Sequence, residues 1–168
     1  MIHESAYIHP TAVVSPFVRI DENVYIGPHC IIGFPPEWKG REKDNKGVWI
    51  KKGTKLTGLV TIDGGAERVT EIGENCYLMK HAHCGHDVIL EDNVTISCGA
   101  KIGGHSVIKK GSNIGLNAVI HQKVEVPEGV MIGASGFVGK KSVLKPFTKY
   151  AGVPVKELGP NESQRPVS

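Results

Sequence analysis

Five of the eight histidines in this chain fall between residues 81 and 121: His81, His83, His86, His105 and His121. With an ordinary pKa of about 6.5, an imidazole can take a proton and return it near neutrality, and in its neutral form it also binds zinc. The grouping points to proton transfer or to metal chemistry. Asp87 follows His86 directly and is one candidate to orient it, a backbone carbonyl being the other. His81 and His86, five residues apart, would make a zinc pair if a third ligand came from another turn of the chain or a neighbouring subunit. His3, His9 and His29 lie far upstream and receive no role.

Residues so far apart in sequence act together only if the fold stacks them. From Ile72 to Tyr150 every sixth residue is apolar, through Leu78, Cys84, Leu90, Ile96, Ile102, Ile108, Ile114, Ile120, Val126, Ile132, Val138 and Leu144. Small or β-branched residues stand two places earlier, as at Ala82, Val88, Val94 and Ala100. Ile2 through Ile32 and Ile50 through Ile62 keep the same rule. A helix repeats at 3.6 and a strand at 2, so a period of six calls for short flat strands joined by regular bends. Two breaks interrupt it, at 34–47 and 63–69. Asn, Asp and Gly beside the apolar slots suit bends with positive φ.

At 168 residues and 40% hydrophobic content, one core is expected. No apolar run approaches the roughly 18 residues of a membrane span, and no signal peptide is expected before the first repeat. Cys30, Cys76 and Cys84 occupy inward slots and Cys98 lies near one, without zinc-ribbon spacing; buried thiols suit a reducing, cytoplasmic setting. A net charge of +3 is too small to argue for nucleic acid. Lys140, Lys141, Lys145 and Lys149, with Lys109, Lys110 and Lys123 before them, form either a solvated face or a landing patch for phosphates or an acidic partner.

The period resembles that of the hexapeptide-repeat family. The resemblance implies an all-β fold, a left-handed parallel β-helix of triangular section with eighteen residues per coil, over residues 1–150, and a short tail over 151–168. It also implies a homotrimer with sites in clefts between subunits. Coils stack at roughly 4.8 Å. One coil on from residue 86 is 104 and the next is 122, so His86, His105 and the His121-Gln122 pair are expected along one edge.

Within that family, the segment Met79-Lys80-His81-Ala82-His83-Cys84-Gly85-His86-Asp87 resembles the active-site signature of the UDP-N-acetylglucosamine O-acyltransferases of lipid A synthesis. Gly104-His105, the stretch from Ala118 to Gln122 and the step from Met131 to Gly136 resemble further landmarks. Pro36-Glu37-Trp38-Lys39 is similar to a loop whose acidic residue and lysine, here Glu37 and Lys39, serve the sugar nucleotide. The resemblance implies acyl transfer from acyl carrier protein to a hydroxyl of a nucleotide sugar. His86 would be the base, and the Gly104 N–H would face the oxyanion that forms on the thioester. His83, His105, His121 and Gln122 would hold the sugar, the diphosphate or the acyl chain. Ala134 would shape the acyl channel. Both substrates can be held at once, so neither a covalent intermediate nor a cofactor is expected, and no metal site is assigned.

Several features depart from that pattern. Asp63 stands where the family has a histidine. Members carry a helical domain after the β-helix, and the residues after Tyr150 are too few for most of it. Gly159-Pro160-Asn161-Glu162 resembles the start of its nucleotide-contacting segment, with Asn161 as the contact and Arg165 available to a phosphate. Tyr150-Ala151-Gly152-Val153-Pro154-Val155-Lys156 resembles the closing motif of coenzyme-A-dependent acetyltransferases acting on sugars or amino sugars. That is the alternative reading. A γ-type carbonic anhydrase using His81 and His86, and a non-catalytic scaffold, complete the field. Trp38 and Trp49 are expected to pack the long insertion onto the prism.

Overall fold

The structure is a computed structural model of the chain and describes residues 1–164. The chain winds into a parallel β-solenoid of about 8 turns. Strands of mostly two or three residues, such as Tyr77–Leu78, His83–Cys84 and Ile89–Leu90, fall on three faces in rotation. They form sheets of nine, seven and six strands. Register is regular: His83 pairs with Lys101, Lys101 with Val119 and Val119 with Phe137, so that column lines one outer face.

The six-residue period marks the inward ladder. Leu78, Cys84, Ile96, Ile102, Ile108, Ile114, Ile132 and Val138 are all completely buried. The small slots turn the corners. Where they are polar, their hydroxyls are used: Thr54 donates to the Gly73 carbonyl (2.7 Å), Ser106 to that of His121 (2.9 Å) and Ser112 to that of Pro127 (2.8 Å). The bends adopt the left-handed region at the same period, at Asn75, His81, Asp87, Asn93, Gly99, His105, Gly111, Asn117 and Lys123. Asp87, His105 and Lys123 are thus successive corners of one edge, one coil apart.

The pattern fails at the ends, where a coil lacks a neighbour to stack on. Ile2 is 52% exposed, and Leu144 is only half-buried, outside any strand. Past Tyr150 the chain does not run on as a simple tail. Strand Lys156–Pro160 folds back antiparallel on Thr148–Ala151 and closes the nine-stranded sheet. Arg165 lies outside the described residues. Among the described residues no helix is long and apolar enough to cross a membrane.

The two insertions pack against each other. The Lys46 N–H donates to the Gly65 carbonyl (2.7 Å) and the Gly65 N–H to that of Gly47 (3.1 Å). Arg41 pairs with Asp44 on its own loop and reaches across to Glu67 (3.6 Å) and the Ala66 carbonyl (3.4 Å).

Truncating a ladder residue leaves a void that stacked coils cannot collapse. Ile102→Ala is expected to lower stability by about 3 kcal/mol. Leu144→Ala at the ragged end should cost about 1 kcal/mol or less by the same reckoning. Urea titration of both variants checks the contrast.

Candidate active site

The site begins with a carboxylate. Asp87 is fully buried at a left-handed corner, with its own N–H on the Thr70 hydroxyl (2.9 Å). The short insertion wraps around it. Its Oδ1 accepts the N–H groups of Glu67 (2.9 Å) and Arg68 (2.7 Å), and its Oδ2 accepts that of Ala66 (3.3 Å). Burial alone would push this carboxyl up, but the bonds from Arg68, His86, Glu67 and Ala66 outweigh it and hold its pKa below the usual carboxylate range. The Arg68 guanidinium grips the Asp87 carbonyl through Nε (2.9 Å) and a terminal nitrogen (2.7 Å), and that nitrogen also reaches the His105 carbonyl (3.5 Å).

An ionised Asp87 can only accept, so the 2.7 Å contact to His86 has Nδ1–H donating to Oδ2. In the neutral ring the lone pair is then on Nε2. Asp87, and not a backbone carbonyl, is therefore the orienting partner. The His86 ring lies over Gly104, where an added Cβ would sit 2.7 Å from Nε2. Trp38 stacks on the ring, with centroids 5.1 Å apart and planes 28° apart. Trp38 also meets His105 edge-on (5.8 Å), and the Arg41 guanidinium covers Trp38 at 4.9 Å. The Gly104 N–H has no acceptor among the described residues.

Cavities of about 260, 270 and 320 Å³ border this core, the last between Glu67, Arg68, His105 and Lys123, and a further groove lies beyond His121. The first is lined by Glu37, Asp63, His83, His86, Gly104 and Gln122. The second lies between Trp38, His86, His105, Gln122 and Lys123. The groove, about 530 Å³, runs between His121, Phe137, Lys140, Lys141, Pro154 and Val155. In the first, His83 holds the Thr61 hydroxyl through Nδ1 (2.8 Å) and comes within 3.9 Å of Asp63. Burial, helped by the Lys101 charge, holds His83 below the ordinary imidazole pKa. Burial pushes the Asp63 carboxyl up to about 6. His105 is lowered by burial against the pull of Asp87, whose carboxylate lies 3.6 Å from its Nε2.

Of the residues singled out from the sequence, Glu37, His83, His86, Asp87, Gly104, His105 and Gln122 converge here. His121 does not. Its ring turns to Phe137 (6.4 Å) in the groove, while His105 meets His86 edge-on at 5.1 Å. Two residues of register separate them: His105 sits on the corner, one place past the 104 column, and His121 just after a strand, one place short of 122, so the bend falls between the two positions. Asn161 is also corrected. It is buried and its amide donates to the Gly129 carbonyl (3.0 Å) while accepting from Ser163 (2.9 Å), so it straps the tail to the helix. Lys39 is exposed on the long loop, and Ala134 at a corner outside the two cavities lined by His86.

His86, Asp87 and His105 offer ligand atoms within 4.8 Å of one another, but both Asp87 oxygens already carry N–H donors. Among the described residues His81 is exposed and belongs to no cluster of metal-ligating side chains. Trp38, assigned to loop packing, instead caps both histidines. Arg41, Arg68 and Lys123 were not singled out for the site; the eighteen-residue step from 87 through 105 to 123 was the signal available for Lys123.

The fold and the repeat are similar to those of hexapeptide-repeat proteins. The family profile described as "Bacterial transferase hexapeptide (six repeats)" matches residues 1–33 and 70–104. Its relatives include acyl-[acyl-carrier-protein]–UDP-N-acetylglucosamine O-acyltransferases. That of Nautilia profundicola is 30% identical over 145 residues (84% of this chain, 55% of the relative). That of Thermodesulfovibrio yellowstonii is 35% identical over 135 residues (78% and 43%). The chain spans about half the length of these curated relatives. Among solved structures, the UDP-N-acetylglucosamine acyltransferase from Campylobacter jejuni shares the fold, with a TM-score of 0.81 and 24% identity over 98% of this chain and 76% of that one. So does the acetyltransferase domain of PglB from Neisseria gonorrhoeae, in complex with acetyl coenzyme A (TM-score 0.64, 24%, covering 92% and 58%).

The low folded pKa of Asp87 sets a pH signature. Its contribution to stability is complete above the unfolded carboxyl value, about 3.9, and is lost as pH falls through the lower folded value. Asp87→Asn is expected to cost about 2–3 kcal/mol at pH 7. The gap to wild type should shrink below about pH 4 by the same linkage, as denaturant titrations at both pH values will read.

Proposed function

We propose that the protein transfers an acyl group from a thioester to UDP-N-acetylglucosamine or a related nucleotide sugar, with His86 as general base. The observation that carries this reading is the Asp87–His86 pair, whose ring lies over Gly104 on the wall of one cavity with its Nε2 lone pair free. The names of the sequence relatives supply the substrates. His86 takes the hydroxyl proton as the oxygen attacks the thioester carbon. The carbonyl oxygen gathers charge opposite the Gly104 N–H. When the C–S bond breaks, His86 returns the proton to the sulfur. Asp87 steadies the imidazolium between these steps. His83, His105, Glu37 and Gln122 form the walls that hold the sugar and diphosphate.

The acyl donor is a 3-hydroxyacyl chain on acyl carrier protein, with coenzyme A as the alternative carrier. The large groove beside His121, apolar along Phe137 and Val155 and cationic at Lys140 and Lys141, suits the phosphopantetheine arm that both carriers share. The working form is a homotrimer, for which the exposed Val13 and Ile31, paired neighbours on one sheet face, are a natural contact point. Four free thiols, three of them buried, suit the cytoplasm.

Incubation with UDP-N-acetylglucosamine and a panel of 3-hydroxyacyl carrier proteins and acyl-CoAs, read by mass spectrometry, tests the assignment. An acyl-sugar nucleotide is expected from wild type, with kcat reduced about 10²–10⁴-fold in His86→Gln. Gly104→Ala should lose about 10²-fold by displacing the His86 ring. Product formation that is indifferent to His86 would refute the base assignment.

A further inference from the structure

Trp38 takes no part in the proton transfers described above, yet it is in ring contact with the group that makes them. The long insertion builds its position. The Trp38 N–H donates to the carbonyl of the buried Pro36 (2.7 Å), and the Trp38 carbonyl accepts the Arg41 N–H (2.9 Å). These two tight turns leave the indole half-buried. Its ring stacks on that of His86 at 5.1 Å and 28°, and meets His105 edge-on at 5.8 Å. The Arg41 guanidinium lies over the same indole at 4.9 Å, with Asp44 and Glu67 matching its charge. His86 is thus confined by Asp87 at Nδ1, by Gly104 along its edge and by an indole on its face.

We propose that Trp38 is a positioning residue for acyl transfer, whose indole face stabilises the imidazolium that His86 becomes between taking the hydroxyl proton and returning it to sulfur. The inference rests on the acyl transfer at His86 proposed above. A neutral imidazole and an imidazolium have nearly the same shape, so packing alone supports both equally. Charge makes the difference. The electron-rich face of an indole attracts a cation stacked on it, more strongly where water is excluded. His86 is neutral when the substrates bind and charged only while it carries the proton. A contact that strengthens only with that charge lowers the barrier and leaves the ground-state complex as it was. Other charges act on the same ring. Asp87 favours the imidazolium at 2.7 Å, as do Glu37 and Asp63 from one cavity wall. Lys101 on that wall and Lys123 in the neighbouring cavity oppose it. His105, which burial holds below the ordinary imidazole pKa, lies edge-on at 5.1 Å. The indole supports the cation without adding another carboxylate, which would repel a diphosphate-bearing acceptor.

The test removes electron density from the indole without changing its shape. Trp49 packs on Arg19 and Lys51, so Trp49→Phe leaves Trp38 as the only tryptophan. In that background Trp38 is replaced by mono-, di- and trifluorinated tryptophans. The kcat for acyl transfer is expected to fall step by step, about three- to tenfold across the series, with KM within about twofold. Trp38→Leu should lower kcat about tenfold and Trp38→Phe should recover part of the loss. A kcat indifferent to fluorination, or a series that moves KM alone, overturns the proposal. A second readout needs no substrate. An imidazolium quenches the emission of an indole stacked on it. Trp38 fluorescence in the Trp49→Phe protein should therefore drop by about half as pH falls from about 8 to about 5, and His86→Gln should abolish the step. If the step is present and no donor yields product, the acyl-transfer reading fails while the charge contact is upheld. Product formed without a step that depends on His86 overturns the charge contact alone.

Discussion

The Asp87 carboxylate is the fixed point of this site. A buried anion persists only where donors surround it, and here three consecutive backbone N–H groups, from Ala66, Glu67 and Arg68, supply them. Those donors come from the short insertion, which is pinned by Arg41 from the long one. The long insertion in turn lays Trp38 on His86. The two breaks in the six-residue period thus belong to one assembly. Each brings to the edge of the prism something the regular coil lacks, a ring of backbone donors in one case and an aromatic cap in the other. The tautomer of His86 follows from that assembly.

The β-helix contributes position. Corners recur every eighteen residues along an edge, so Asp87, His105 and Lys123 lie one above another on backbone that the Ile and Leu ladder holds rigid. Asp63, His83 and Lys101 line one cavity beside His86 and Trp38, His105 and Lys123 the other, with Glu37 and Gln122 bordering both. A separate groove with Lys140 and Lys141 opens beyond His121.

The regular part of the molecule was legible in the sequence because a stacked core demands the same residue type at every sixth place. The inward slots from Ile72 to Val138 need no further information. His86 and Gly104 were legible through motif and column. The failures have local causes. His121 is one residue short of the column, and only the backbone state at the strand end decides which way its ring turns. Asn161 looked like a ligand contact because its neighbours resemble a motif, but a tail that folds back antiparallel consumes its amide. The cradle around Asp87 left no side-chain signature, since its donors are backbone N–H groups.

The most direct test of the central claim is the protonation pattern of the His86 ring. Nitrogen-15 NMR of histidine-labelled protein above the ring's titration should find a protonated Nδ1, its hydrogen shifted far downfield by Asp87, and a bare Nε2; Asp87→Asn should abolish that signal. A ring protonated on Nε2 in the wild-type protein would contradict the account.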